Sequence, residues 1–212
     1  MAEPPSKDHD PAAAWDARYA AQPAPFGDRP TEGLAVALAE HPWPGPGQCR
    51  ALALADGDGR NGTWLAQRGC AVTAVDVSPQ ATRQATARDA AAGVAVARVT
   101  ADLAHWAPPA AGFDLAALLF LQGPPALRQA GLDRAAEALQ PGGLLVLEGF
   151  AGAPDAEAPL GPDDPARRWT AADVARDARW HALDAVVRVQ SLADGPRHTG
   201  LGRILWLTAR RR

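Results

Sequence analysis

The apolar positions of this chain fall into short runs separated by glycine- and proline-rich breaks. Ala51–Ala55, Val72–Val75, Val94–Val99, Phe113–Leu121 and Leu144–Glu148 are each brief, apolar and bounded by turn residues, the signature of buried strands. Helical character lies between them, over Arg60–Arg68, in the segment opening at Ser78-Pro79, and over Pro124–Leu139. Ser78 is placed to cap its helix with Pro79 in the first turn, and Pro141-Gly142-Gly143 stops the last of the three. Such alternation predicts parallel strands with helical crossovers, five βα units in place by residue 150.

Beyond that point the alternation ends. A Pro/Asp-rich loop runs to Arg168, a helix is expected from Thr170 to Arg179, and Leu183–Ser191 and Ile204–Ala209 read as strands joined through Ala193–Gly202 as a hairpin. Before the first strand, Ala12–Ala20 and Thr31–His41 read as helices on either side of a break from Gln22 to Pro30 that holds three prolines. The fold class is α/β. The expected organisation is a tail over residues 1–11, then a single domain over 12–212 whose residues 12–41 form a helical cap. The tail is polar, charged and proline-rich.

Composition narrows this picture in three ways. With 212 residues, 47% hydrophobic and 21% charged, the chain has the make-up of one globular core. A formal charge of −3 supplies no basic footprint for a phosphate backbone, so nucleic acid is not expected as a partner. The first sixteen residues have no apolar run of a leader and no stretch reaches about 18 apolar residues, so no membrane is expected and a cytoplasmic location is. Cys49 and Cys70, the two cysteines, lack ligand spacing and read as free thiols. His9, His41, His105 and His181 stand apart as well, and no metal is expected.

Chemistry concentrates in one turn. Gly57-Asp58-Gly59-Arg60-Asn61-Gly62 lies between a strand and a helix, and Asp76 ends the next strand about 20 residues later. Glycines let a ligand approach the backbone where the first amides of the helix point outward, and a carboxylate at the next strand end can accept from both ribose hydroxyls. Either a dinucleotide or an adenosyl sulfonium satisfies that arrangement. A tight turn with an unrelated aspartate is the plain alternative.

From ALALADGDGRNGTWLAQRGCAVTAVDVSPQA the chain resembles class I S-adenosylmethionine-dependent methyltransferases, closest to the small-molecule and tellurite group, over roughly Trp15 to Ala209. Further blocks match in order: Trp15-Asp16-Ala17-Arg18-Tyr19, Val75-Asp76-Val77-Ser78, Ala101-Asp102-Leu103, Phe113-Asp114-Leu115 and Leu139-Gln140-Pro141-Gly142-Gly143. The resemblance implies a Rossmann-like sheet of seven strands, mostly parallel with an antiparallel last strand and helices on both faces. S-adenosylmethionine is the cofactor it implies.

The same resemblance assigns Gly57 and Gly59 to the methionine end, Asp76 to the ribose, and Asp102 with Leu103 to the adenine edge. Ala55, Asp56, Asp58, Asn61, Val77, Ser78 and Arg18 are further expected cofactor-binding residues. Phe120 and Gln122 would face the methyl group, under a lid of Trp15, Arg18, Tyr19 and Phe26. His198 and Arg203 resemble the residues that meet a metalloid oxyanion in tellurite methyltransferases, although their spacing is shorter here, and are the expected catalytic pair. The family's acidic residue and glycine are replaced by Ala53 and Ala55, so Asp56 or Asp58 is the expected counter-charge for the methionine ammonium.

Methyl transfer to a small molecule, a metalloid oxyanion such as tellurite or a thiol, is therefore the expected activity. A nicotinamide-dependent oxidoreductase or a non-catalytic adenosyl-binding module of the same fold are the alternatives. No Asn-Pro-Pro-aromatic motif follows the fourth strand, where Gln122-Gly123-Pro124-Pro125 stands. Monomer and homodimer are both open.

Overall fold

A computed structural model describes residues 11–109 and 111–212. The expected tail lies outside them apart from Pro11, which begins α1 (Pro11–Ala21). Next come α2 (Glu32–Glu40), β1 (Arg50–Leu54), α3 (Arg60–Gln67), β2 (Ala71–Asp76), α4 (Pro79–Ala92) and β3 (Val96–Thr100). The chain continues through β4 (Phe113–Leu119), α5 (Pro125–Ala138), β5 (Leu139–Phe150), α6 (Ala172–Ala175), β6 (Trp180–Ala193) and β7 (Thr199–Arg211). Ser78 caps α4 as expected, its hydroxyl accepting the Ala81 amide at 3.0 Å.

The seven strands form one sheet in the order β3-β2-β1-β4-β5-β7-β6. The first five are parallel, and β7 runs antiparallel to both β5 and β6. Central strands are apolar on both faces, as covered parallel strands must be. Leu52 and Leu54 of β1 join one core with Leu118, Leu145 and Leu147, while Ala51 and Ala53 join the opposite core with Leu34, Leu65 and Leu115. The alternation of a strand thus sends successive residues to two separate helix layers.

Three features differ from the sequence expectation. The helix foreseen over Thr170–Arg179 is one turn, Ala172–Ala175; Asp177 binds Arg179 through main chain and side chain and holds that stretch in a turn instead. No helix separates β3 from β4 among the described residues. The terminal ribbon is longer than foreseen, with β6 and β7 paired from Trp180↔Arg211 to Ala193↔Thr199, because ladder bonds continue past the apolar runs into polar sequence. Among the described residues no helix is long and apolar enough to cross a membrane.

Candidate functional site

The carboxyl ends of β1, β2 and β4 open onto one pocket, as parallel α/β sheets arrange it. After β1 the chain turns through Ala55 at φ +54°, Gly57 at +57° and Gly59 at +88° into α3. Gly59 is required twice over, by its left-handed backbone and by the Ala85 Cβ of α4, which would lie 2.7 Å from any Cβ placed there. Asp76, the last residue of β2, accepts the Gly57 amide at 2.8 Å with one carboxylate oxygen and the Ser78 amide at 2.9 Å with the other. Burial pushes its pKa up and these two amides oppose the rise.

A buried ionic cluster supports the turn from behind. Arg98 of β3 reaches Asp56 at 2.5 Å and Asp89 at 2.9 Å, and Asp56 also accepts the Gly62 amide at 3.0 Å. Burial raises the Asp56 carboxyl to about 6 even with the guanidinium in contact. Asp58 is likewise committed, to Arg88 at 3.1 Å. Neither aspartate is an unpaired carboxylate; both hold the turn in shape.

The roof comes from distant parts of the chain. Trp15 and Tyr19 of α1, Phe26 and His198 follow one another with ring centroids 6.1, 6.2 and 4.7 Å apart, and His198 lies 4.6 Å from Phe120. Phe120 adopts φ +54°, a conformation that costs about 1–3 kcal/mol in a non-glycine residue. Asp16 fixes α1 by accepting from the Ser78 hydroxyl and from the Gln80 amide. Arg60 ties roof to floor, donating to the Phe26 carbonyl at 2.7 Å and pairing with Asp194 at 3.3 Å. Gly195 allows the hairpin backbone to rest on Gly27, whose nitrogen stands where a Cβ on Gly195 would be.

His198 is 4% exposed, and its Nδ1 is buried with no hydrogen-bond partner. Burial, aided by the charge of Arg60, drives its pKa down to about 3, so the ring is neutral. A second buried acid, Glu148 at the end of the apolar run of β5, accepts the Gly33 amide at 3.0 Å; burial raises it to about 7. It anchors the first turn of α2 to the sheet.

Of the residues expected from sequence, Ala55, Asp56, Gly57, Asp58, Asn61, Asp76, Val77, Asp102, Leu103, Phe120, Gln122 and His198 line this one cavity, together with Trp15, Tyr19 and Phe26. Four lie outside its lining. Gly59 packs against α4, Ser78 caps α4, and Arg18 stacks on Trp15 at 4.6 Å. Arg203 pairs with Asp155 and lines a separate surface groove with Trp169 and Val187, so it does not meet His198 in this pocket. Asn61 also accepts the Thr31 amide at 2.9 Å, joining the turn to α2. Arg60, Leu119, Leu121 and Leu127 line the cavity without having been foreseen. Arg60 stood inside the glycine motif, and a charge directly before the buried residues of α3 was the available signal. The cavity measures about 120 Å³, small beside the ~300–1,000 Å³ of ordinary ligand sites, and the Tyr19 hydroxyl lies close against Gly57 in it.

Comparisons with known proteins agree with this fold. Residues 51–143, which span β1 through the start of β5, match the family model of the Methyltransferase domain, Methyltransf_25. No curated protein matches the chain. A solved structure described under the conversion of a disulfide bond into a thioacetal group during echinomycin biosynthesis is similar at 19% identity and a TM-score of 0.71, over 94% of this chain and 91% of that one. The N-methyltransferase NodS from Bradyrhizobium japonicum WM9, in complex with S-adenosyl-L-homocysteine, is similar at 19% identity and 0.67, over 94% and 97%. TehB from Haemophilus influenzae is similar at 15% identity and 0.66, over 85% and 62%. These likenesses give the fold, a Rossmann-like methyltransferase fold. The matched segment is similar to a methyltransferase domain, which supports an S-adenosylmethionine-dependent methyltransferase.

Proposed function

We propose that this chain transfers a methyl group from S-adenosylmethionine to a small, uncharged acceptor, with a thiol as the first class to try. The observation that carries the acceptor half is His198: a neutral imidazole enclosed by Phe26, Phe120 and Phe150, lining the cavity with an unpartnered Nδ1. An oxyanion would need a free cation beside it. Arg203 is paired with Asp155 elsewhere, and Arg60 is held by Phe26 and Asp194, which favours the neutral acceptor over tellurite.

The residues present suit the cofactor. Asp76 offers carboxylate oxygens at a strand end, Val77 and Leu103 offer apolar surface for a base, Asp102 offers acceptors at its edge, and the turn offers bare backbone at Gly57. When bound, S-adenosylmethionine supplies a methyl group activated by a positive sulfur. The chain's own part is alignment and exclusion of water, because with an uncharged acceptor the positive charge only passes from the sulfonium to the acceptor, which then sheds its proton. Asp76 holds the ribose. Phe120 and Gln122 border the transferring carbon. His198 accepts the hydrogen bond of the acceptor's S–H and points the sulfur lone pair; as the acceptor is methylated its proton passes through the imidazole and on to water, because so weak a base does not retain it. Trp15, Tyr19 and Phe26 shift outward to admit ligands and close again over the pair.

Calorimetric titration with S-adenosylmethionine and S-adenosylhomocysteine, with NAD and NADP as controls, tests this reading. Saturable adenosyl binding is expected, weakened about 100-fold in Asp76→Ala, since a carboxylate's hydrogen bonds are worth about 1.5–3 kcal/mol each. A preference for a nicotinamide would favour the oxidoreductase. Adenosyl binding with no S-adenosylhomocysteine formed on any thiol, selenite or tellurite would favour a non-catalytic module.

A further inference from the structure

The sheet ends at β6, and among the described residues nothing pairs with its outer edge. Of the exposed large apolar side chains among the described residues, Leu183, Val186, Val187 and Val189 all stand on this strand, 36% to 47% exposed. The segment Leu183–Val189 contains no proline and no lysine, the residues by which edges are usually blunted. Its covering helix is missing as well, because the region before β6 forms only the single turn α6. A bare edge of this length exposes a row of backbone donors and acceptors beside apolar side chains, which is what a second strand binds.

We propose that the occupant is a second copy of this chain, joined edge to edge through β6 about a two-fold axis that passes beside Val186. Such an axis, perpendicular to the sheet, pairs residues antiparallel and keeps each on its own face, so the numbers of opposed residues sum to one even value. The only charged residues of the segment, Asp184 and Arg188, decide which value. A sum of 368 sets Asp184 against its own copy and 376 sets Arg188 against its own copy; both place like charges face to face. A sum of 372 sets Asp184 of each chain opposite Arg188 of the other.

That same register sets Leu183 opposite Val189, Ala185 opposite Val187 and Val186 opposite itself, so every exposed apolar side chain of the strand gains an apolar neighbour. It also centres the contact on the strand, letting residues 180–192 of β6 take part, although Leu183 is skipped in the pairing with β7, which confines the regular ladder to Asp184–Arg188 and leaves Leu183 beside Val189 at its irregular end. Charge, apolar matching and length select one register, which closes as an isologous pair and leaves neither β6 edge free. In the single chain Asp184 meets His41 at 3.2 Å and Arg188 covers the Trp206 ring at 4.1 Å, so both already lie on the same face of the sheet.

The test is sedimentation equilibrium of the full chain, together with oxidation of Val186→Cys. A dimer is expected, and Val186→Cys should give a covalent dimer on a non-reducing gel, because opposed Cα atoms lie about 4.5–5.5 Å apart, within disulfide reach. Cys49 and Cys70 are buried and do not compete. Asp184→Arg and Arg188→Asp should each weaken dimerisation about tenfold or more, and the double exchange should restore it. Thermal unfolding of each variant separates loss of the dimer from loss of the fold. A monomer up to about 100 µM overturns the proposal, as does a dimer indifferent to the charge exchange or one in which Val186→Cys does not cross-link.

Discussion

The floor and the roof of the pocket are built in opposite ways. The floor is local: Ala55 to Asn61, Asp76 with Val77, and Asp102 with Leu103 come from one stretch of about 50 residues, and its polar groups are satisfied by neighbours in the same βαβ units. The roof is assembled from α1, the loop at Phe26, the end of β4 and the β6–β7 hairpin, and its imidazole, His198, is left without a partner at Nδ1. A floor of that kind can be kept constant for one cofactor while the roof varies with the acceptor. Arg60, bound to Phe26 and Asp194, and Asp16, bound to Ser78 and Gln80, lock the two together.

The sharpest way to break the floor alone is Arg98→Met. It leaves Asp56 and Asp89 buried without their counter-charge, and loss of one partner from such a cluster costs about 3–5 kcal/mol. The melting temperature should fall by about 6–20 °C, with cofactor affinity falling alongside because Asp56 no longer holds the turn. A fall of only a degree or two in calorimetry would show that the cluster is not what shapes the floor.

A smaller effect probes the anchoring of the cap. Glu148 has a folded pKa of about 7 against an ordinary 4.5, so between those values the folded chain binds more protons than the unfolded one. Its contribution to stability is present below 4.5 and is lost as pH rises through 7. Glu148→Gln keeps an oxygen for the Gly33 amide and removes the titration. The variant should match the parent near pH 5 and melt several degrees higher at pH 8; a difference constant with pH would remove Glu148 as the cause.

The roof is tested by the mildest changes. His198→Phe retains an aromatic ring among Phe26, Phe120 and Phe150 while deleting the nitrogen, and should lower methyl transfer to a thiol about tenfold, the worth of one hydrogen bond, with S-adenosylhomocysteine affinity within about twofold. Because burial keeps the ring neutral down to about pH 3, this loss should be the same at pH 6 and pH 8. Arg203→Ala should leave turnover unchanged. A large loss there, measured on tellurite, would return the oxyanion acceptor to favour.

The sequence was informative wherever function and fold share a short segment. The strand runs, the glycine turn, Asp76 at the end of β2 and the Ser78 cap are each specified by neighbours within a few residues, so their types and spacing suffice to find them. The same local logic failed for the helix at 170–179, where alanines and arginines suit a helix but Asp177 and Arg179 form a turn. It failed also for Arg203, whose distance from His198 along the chain is short while the hairpin carries it to another groove.

What the sequence alone determined is the α/β alternation, the methyltransferase resemblance and the residues of the pocket floor, because backbone propensity, turn chemistry and strand-end carboxylates act over short range. Only the tertiary structure decided that Asp56 pairs with Arg98, that Glu148 holds α2, that His198 is neutral within an aromatic roof, and that β6 lies bare at the edge of the sheet. Burial and ion pairing depend on which distant residues arrive beside a group, and no spacing along the chain encodes that.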